Sequence, residues 1–275
     1  MKHLNTQNIK SVITHSQVSD ETRTDESCHK NKKTTFITTF SKKGYHDYGK
    51  RWIDTFIENT SDVHAVILTD FDLTVSDTRI TVLNFDQVIP THKQWIAEFD
   101  TAYTNAERHQ FERQFGIRFS YKAHAMMYAM ECLTGYVVWL DGDCVFKPNS
   151  YVDFASSILE NNFIAVQIDK FESTLIWRSE DHVESGIVVF DLDHPDRETF
   201  LKSFKTHYEP VHMASMPQPY DGFVIMRVCK KTNIKYNDLL PPDYTIFHNE
   251  PHLTFIHPEL KSRFIHYIGN KPYEN

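Results

Sequence analysis

The sequence predicts an α/β domain whose central β-sheet is mostly parallel. Segments with the composition of strands alternate with segments of helical periodicity along most of the 275 residues, a pattern typical of βαβ units. One run, Tyr136–Leu140 (YVVWL), is apolar throughout, as expected of a strand that is buried on both faces. The alternation contains no internal repeat, so we expect a single domain over residues 34–275.

The first predicted element is a strand at residues 34–40 (TTFITTF), because β-branched and aromatic side chains dominate there. Residues 1–33 are polar and lack hydrophobic periodicity, which predicts a flexible tail. Residues 41–49 contain two glycines and are expected to form a loop. A helix and two strands are then predicted in residues 50–58, 63–70 and 79–86.

The rest of the chain continues the alternation. Helices are predicted in residues 91–116, 120–133, 151–162, 196–209 and 220–232, and strands in residues 163–168 and 185–192. Met126, Met127 and Met130 share one face of the second of these helices, and we interpret them as a stripe that faces the core.

Charge and cysteine usage restrict the class of protein. The net charge of −8 disfavours broad binding of polyanions, which are held by lysine and arginine. The four cysteines form no CxxC pair, so neither a zinc knot nor a redox dithiol is predicted, and a reducing, cytoplasmic setting fits best. No apolar stretch predicts a membrane helix or a signal peptide, so any contact with a membrane is expected to be peripheral.

Two carboxylates, Asp141 and Asp143, follow the buried strand directly. Ligands of open α/β sheets bind at the carboxyl ends of the strands, and carboxylates this close repel unless a cation lies between them. Mg²⁺ and Mn²⁺ prefer oxygen ligands, and Gly142 permits a tight turn that a diphosphate can approach. These residues therefore predict a divalent metal site, with a solvated Asp-Gly turn as the alternative interpretation.

Four segments in order resemble the GT-A glycosyltransferases, a superfamily in which a D-x-D segment holds a metal against a nucleotide-sugar diphosphate. The four segments are VVWLDGDCVFKP, the preceding helix RFSYKAHAMMYAM, the later HVESGIVVFDLDHP, and HYIGNKPY near the C-terminus. The last is similar to the H-x-x-G-x-x-K-P-W ending of glycogenin-like and bacterial galactosyltransferase-like enzymes. It departs from that ending by one deleted residue before the lysine and by Tyr273 in place of tryptophan. The resemblance spans residues 34–273 and implies a GT-A fold.

The resemblance also implies roles for particular residues. Thr38 and Thr39, with Asp70 as a second candidate, lie where the superfamily contacts the nucleobase and ribose, although each could equally make local hydrogen bonds at a strand end. His266 would complete the metal site rather than take a surface or packing role. Roles in binding the donor diphosphate are implied for Arg118, Lys122, Gly142, Gly269 and Lys271. Arg118 and Lys122 are one helical turn apart and can point the same way, towards the site or towards solvent.

An acceptor hydroxyl needs a proton acceptor or a stabilising carboxylate, and Glu184 and Asp221 are the candidates. Glu184 could instead accept hydrogen bonds from sugar hydroxyls, and Asp221 could instead cap the following helix. The C-terminal motif favours retention of anomeric configuration, whereas the Glu184-Ser-Gly segment lacks the asparagine usual in retaining members, so both outcomes stay open.

The function predicted from these observations is Mn²⁺- or Mg²⁺-dependent transfer of a hexose or pentose from a nucleotide-diphosphate-sugar. The acceptor would be a hydroxyl of a glycan, a lipid-linked saccharide or a modified nucleobase. The alternatives are a nucleotidyltransferase acting on sugar phosphates and a non-catalytic module that binds nucleotide-sugars. A nucleotidyltransferase normally has a glycine-rich loop after its first strand, and the segment following residue 40 contains only Gly44 and Gly49.

Overall fold

The computed structural model describes residues 32–105, 110–148, 154–169, 182–240, 255 and 257–267. Its strands are β1 (Thr34–Phe40), β2 (His64–Thr69), β3 (Ile80–Asn84), β4 (Tyr136–Leu140), β5 (Cys144–Phe146), β6 (Ile164–Asp169), β7 (His182–Asp191), β8 (Tyr236–Asp238) and β9 (Phe264–His266). Its helices are α1 (Lys42–Gly44), α2 (Lys50–Asn59), α3 (Phe85–Val88), α4 (His92–Asn105), α5 (Gln110–Cys132), α6 (Ala155–Leu159), α7 (Arg197–His207), α8 (Pro210–Ser215), α9 (Asp221–Thr232) and α10 (Pro258–Arg263), with a π-helical turn at Tyr45–Gly49. The predicted tail, apart from residues 32 and 33, lies outside the described residues.

The predicted α/β class with a mostly parallel sheet is confirmed. Seven strands form a mixed sheet in the order β3-β2-β1-β4-β7-β6-β8. Strands β3, β2, β1 and β4 are mutually parallel, β8 is parallel to β6, and β7 is antiparallel to both of its neighbours. A second, two-stranded sheet pairs β5 with β9 in antiparallel orientation.

Alternation along the central strands divides the core into one layer on each face of the sheet. In β4, Val137 and Trp139 belong to one buried cluster, whereas Tyr136, Val138 and Leu140 belong to the other. Every residue of β4 is buried, which confirms the prediction of a strand covered on both faces.

Helix α5 packs its apolar stripe into the first of these clusters. Met126, Met127 and Met130 are all buried there, as predicted for a core-facing stripe. Trp95, Phe99 and Tyr103 of α4 join the same cluster. Helix α5 therefore covers the sheet face at β1, and α4 packs against α5.

Residues 42–49 are helical, so the prediction of a loop over residues 41–49 was wrong. The Ser41 hydroxyl caps α1 by accepting a hydrogen bond from the Gly44 amide at 3.1 Å. A Cβ on Gly49 would lie 2.9 Å from the ring of Phe40, so glycine lets the π-helical turn pack directly on the end of β1. Glycines that signal a loop in the sequence thus serve close packing between helix and strand.

None of the described helices is long and apolar enough to cross a membrane.

Candidate active site

A crevice lies at the carboxyl ends of β1 and β4, where the strand order reverses. From β1 the sheet extends through β2 and β3 on one side and through β4 on the other, which makes this the topological switch point of the sheet. The crevice has a volume of about 280 Å³. Its lining includes seven residues predicted from the sequence, namely Thr39, Asp70, Arg118, Lys122, Asp141, Gly142 and Asp143.

The turn that carries the two carboxylates is closed by backbone hydrogen bonds. The Asp141 amide donates to the Gly186 carbonyl at 2.9 Å, and the Cys144 amide donates to the Asp141 carbonyl at 3.0 Å. A Cβ on Gly142 would lie 2.6 Å from the ring of Phe40 and 2.8 Å from that of Tyr48. Glycine is therefore required for the turn to pass between these rings and present both carboxylates to the crevice.

An imidazole reaches the carboxylates through the small sheet. His266 on β9 is paired directly with Cys144 on β5, and the Tyr267 amide donates to the Asp143 carbonyl at 3.0 Å. His266 Nε2 then lies 3.1 Å from Asp143 Oδ1 and 4.0 Å from Asp141 Oδ2. The structure thus brings together the three residues that the sequence predicted as metal ligands.

The environment of His266 favours a positive charge at this point. Its side chain is only 6% exposed. Burial opposes the imidazolium form, but the hydrogen bond with Asp143 and the charges of Asp143 and Asp141 outweigh burial and raise the pKa of His266. A Cβ on Gly186 would lie 2.5 Å from Cε1 of the ring, so this glycine makes room for the imidazole.

Asp143, Cys144 and His266 form a group that could hold a metal ion, since each offers one ligand atom and these atoms lie within 4.8 Å of one another. Asp141 Oδ2 lies 4.0 Å from His266 Nε2, next to this group. The Cys144 sulfur is one of these ligand atoms, and burial raises the pKa of its thiol well above the usual value.

Lys122 is a buried cation that is already paired. Its side-chain nitrogen lies 2.7 Å from Asp141 Oδ1, 3.3 Å from Asp221 Oδ2 and 3.0 Å from the Ser185 hydroxyl. Burial would lower the pKa of Lys122, but the charges of Asp141 and Asp221 outweigh it and the pKa is raised. Lys122 therefore holds two carboxylates in place, whereas Arg118, one turn away, is exposed at the crevice.

Asp141 has one oxygen occupied and one oxygen facing His266. Lys122 and the Trp139 indole, at 2.6 Å, both donate to Oδ1. Burial opposes ionisation of this carboxyl, but the charges of Lys122 and His266 and the two hydrogen bonds outweigh it and lower the pKa of Asp141. Oδ2 is thus the oxygen that an ionised Asp141 can offer to a cation.

The two candidate bases, Asp221 and Glu184, both lie near this network. Asp221 is the first residue of α9 and is 1% exposed, while Tyr220 occupies the N-cap position, so the alternative interpretation of Asp221 as the cap was wrong. Glu184 Oε1 accepts a hydrogen bond from the Gly186 amide at 3.4 Å. Burial raises the pKa of Glu184, and Asp141 adds to this, against the opposing charges of His266 and Lys122.

The other end of the crevice is lined by Thr39, Leu68, Asp70, Phe85 and Tyr121. The carboxylate of Asp70 accepts a hydrogen bond from the Lys42 amide at 3.2 Å. Thr38, in contrast, is fully buried and does not line the crevice. The predicted diphosphate contacts Gly269 and Lys271 lie outside the described residues.

Sequence reasoning missed several residues of the crevice. Tyr48 lines it from the segment that was predicted as a loop, and burial raises the pKa of its phenol. Trp139 and Ser185 contribute donors or acceptors to the network around Asp141 and Lys122. A tryptophan two residues before a carboxylate in a strand shares its face, which is a signal that could have identified Trp139.

Comparison with known protein families and with curated proteins found no match. Solved structures to which the chain is similar include the galactosyltransferase LgtC in complex with donor and acceptor sugar analogs, at 14% identity and a TM-score of 0.49, covering 86% of this chain and 87% of that one. They also include the mannosyltransferase Ktr4p from S. cerevisiae, at 12% identity and a TM-score of 0.44, covering 76% of this chain and 68% of that one. A third is the bifunctional glycosyltransferase WbbM, at 11% identity and a TM-score of 0.44, covering 76% of this chain. The chain spans only 39% of the length of WbbM. All three are glycosyltransferases, and similarity at this level does not by itself assign an activity to this chain.

Proposed function

We propose that this chain is a GT-A glycosyltransferase that moves a sugar from a nucleotide-diphosphate-sugar to an acceptor hydroxyl, with Mn²⁺ or Mg²⁺ as cofactor. The observation that carries the proposal is the placement of His266 Nε2, 3.1 Å from Asp143 and 4.0 Å from Asp141, at the strand-end crevice. Two carboxylates and an imidazole that converge at a switch-point crevice form a site for a metal-bound phosphate ligand.

Asp143, His266 and the free oxygen of Asp141 would hold the cation. Its chemistry would be to offset the negative charge that develops on the departing nucleoside diphosphate. Lys122 keeps Asp141 ionised and oriented, and Arg118 adds a second positive charge at the crevice. We assign Lys271 and Gly269 to the diphosphate as well, as a cation and as a point of close backbone approach.

The nucleoside would lie at the opposite end of the crevice. Thr39 and Asp70 supply polar groups there, beside the rings of Phe85 and Tyr121. A flat base can pack against these rings while the carboxylate of Asp70 accepts a hydrogen bond from the base or the ribose.

Glu184 is the better placed of the two candidate bases. Asp221 is paired with the Lys122 ammonium at 3.3 Å, which orients it as an acceptor for sugar hydroxyls. Glu184 has a raised pKa and lies at the start of β7 beside the metal-binding turn, so it can take up the proton of an acceptor hydroxyl. Its role as the base is part of the proposal.

The test separates glycosyl transfer from the two alternatives. The protein is incubated with a panel of nucleotide-sugars and Mn²⁺ without acceptor, and release of nucleoside diphosphate is measured. Slow release of nucleoside diphosphate from one donor is the expected result. Exchange of labelled pyrophosphate into a nucleoside triphosphate would instead indicate a nucleotidyltransferase, and tight donor binding without any turnover would indicate a binding module.

A further inference from the structure

A second pocket, outside the candidate active site, is lined by basic side chains from three helices. It has a volume of about 290 Å³ and lies between the ends of α7 and α8 and the C-terminal half of α9. Its basic side chains are His207, His212, Arg227 and Lys231, and we call it the basic pocket. An adjoining depression of about 500 Å³ shares three of these four residues and adds Lys230.

Two side chains of the basic pocket, Arg227 and Lys231, carry a full positive charge that no acidic neighbour offsets among the described residues. Arg227 lies over the ring of Phe223 at 5.5 Å, and within the part of the chain that the structure describes neither Arg227 nor Lys231 makes an ion pair. His212 has an acidic neighbour in Glu209, whose carboxylate lies 3.5 Å from His212 Nδ1. A local excess of positive charge in a chain of net charge −8 does not follow from overall composition.

The helix dipole explains why some of these basic residues lie at the pocket, but it does not explain all of them. His207 lies in the last turn of α7 and Lys231 in the last turn of α9, where the helix dipole favours cations. Each helix end carries only about half a negative charge, which is less than one lysine or arginine supplies. Arg227 also lies more than a turn before the end of α9, so its position at the basic pocket has no such explanation.

His207, one of the two histidines in the basic pocket, is affected by the same positive charges. Burial lowers the pKa of His207, its hydrogen bond with the Ser203 carbonyl opposes this, and the charges of Lys231, Arg227 and His212 lower the pKa further.

We infer that the basic pocket binds a phosphate group, carried either by a free phosphorylated molecule or by the headgroup of an anionic lipid. The Arg227 guanidinium can hold two phosphate oxygens at once, and Lys231 adds a point charge. Thr206 and Ser215 also line the pocket, where their hydroxyls donate to the Lys202 and His212 carbonyls. Val211, next to His212 in α8, is 70% exposed, so an apolar side chain stands beside the cations as at a lipid-binding surface.

The experiment measures phosphate binding with the donor site disabled. In EDTA, pyrophosphate is titrated into the protein by calorimetry, and flotation is measured with vesicles of phosphatidylcholine with and without phosphatidylglycerol. The test variant is Arg227→Gln/Lys231→Gln. The control variant, Lys202→Gln/Lys261→Gln, makes the same change in net charge at exposed lysines that do not line the basic pocket.

We expect the test variant to bind at least about tenfold more weakly than wild type, because each cation near a phosphate surface contributes about 1 kcal/mol. The control variant should bind as wild type does. Loss of pyrophosphate binding would identify a free phosphorylated molecule as the ligand, and loss restricted to phosphatidylglycerol vesicles would identify a lipid headgroup. No binding of either probe, or equal weakening in both double variants, would overturn the inference. Because metal and nucleotide-sugar are absent, this result is independent of the proposed glycosyl transfer.

Discussion

Lys122 is the residue on which the electrostatics of the site depend most. It lies between two carboxylates, 2.7 Å from Asp141 and 3.3 Å from Asp221, with only 5% of its surface exposed. Removing one partner of a buried ion pair leaves charge that neither water nor a neighbour compensates. The ammonium group therefore serves the stability of the fold as well as the orientation of Asp141.

Replacing Lys122 by methionine should lower the free energy of unfolding by about 3 kcal/mol at neutral pH, because Asp141 and Asp221 lose their shared cation. The matched control is Lys93→Met, which removes an exposed pair with Asp86 at 2.6 Å and should leave the free energy of unfolding nearly unchanged. Urea unfolding of both variants measures the difference. Similar losses in the two variants would show that the buried pair contributes no more than a surface pair.

Gly186 controls the position of the imidazole. In Gly186→Ala the new Cβ would lie 2.5 Å from His266 Cε1, so the ring must move away from Asp143 and affinity for Mn²⁺ should fall about tenfold or more. Gly116→Ala is the control, since its Cβ would meet the ring of Phe99 at the same distance, 2.5 Å, far from the metal-binding residues. Mn²⁺ binding followed by electron paramagnetic resonance measures both. Wild-type affinity in Gly186→Ala would exclude His266 as a ligand.

At the scale of elements, the pairing of α4 with α5 places a histidine in the core. His92 begins α4, is 1% exposed and shares a hydrogen bond of 2.8 Å with the Ser120 hydroxyl of α5. Its ring stacks on Trp95. Burial, reinforced by the charge of His124, lowers the pKa of His92 to about 3.

This buried histidine should make the fold sensitive to acid. The folded protein keeps His92 neutral down to a pKa of about 3, whereas the unfolded chain takes up the proton near pH 6.5, so stability is lost as pH falls between these values. The contribution of this one group is about 2 kcal/mol between pH 7 and pH 5. His92→Phe should remove that part of the pH dependence, while His64→Gln, at an exposed position, should leave it unchanged. Parallel stability curves for wild type and His92→Phe between pH 7 and pH 5 would contradict the assignment.

The elements that the sequence could predict are those whose signal is local. The apolar run at residues 136–140 and the carboxylates that follow it were enough to place Asp141 and Asp143 at a strand end. The antiparallel direction of β7 was not predictable, because an apolar strand has the same composition whether it pairs in parallel or in antiparallel orientation. Because β7 is antiparallel to β4, the start of β7 lies beside the end of β4, and Glu184 and Gly186 therefore lie near the site.

Other parts of the site depend on contacts between distant segments. Lys122 was predicted to contact a diphosphate, but its pairing with Asp221 joins residues 99 positions apart and has no local signal. Tyr48 was missed because two glycines were interpreted as loop residues, whereas Gly49 allows a helical turn to pack on Phe40. Thr38 is buried and does not line the crevice, whereas Thr39 does. Neighbouring residues of β1 point to opposite faces of the sheet, and only the pairing register of the strand decides which of them faces the crevice.

At the scale of the whole molecule, the sheet and its two apolar layers place the ends of β1 and β4 at one crevice, with the start of β7 and the end of β9 beside the carboxylates that follow β4. The strand order reverses between β1 and β4, and the small sheet adds His266 to the carboxylates that follow β4. A rigid strand-end site of this kind holds carboxylates close together, where a cation relieves their repulsion. The proposed activity follows from this arrangement, and its central requirement is a divalent cation bound by Asp143.

The most direct test of that requirement is the rate of nucleoside diphosphate release from the preferred nucleotide-sugar, measured against Mn²⁺ concentration. Wild type and an Asp72→Asn control, altered at an exposed carboxylate, should be inactive in EDTA and fully active once Mn²⁺ is restored. Asp143→Asn should stay at background at every Mn²⁺ concentration while its circular dichroism spectrum without urea matches that of wild type. Turnover by wild type in excess EDTA, or wild-type turnover by Asp143→Asn, would contradict the account.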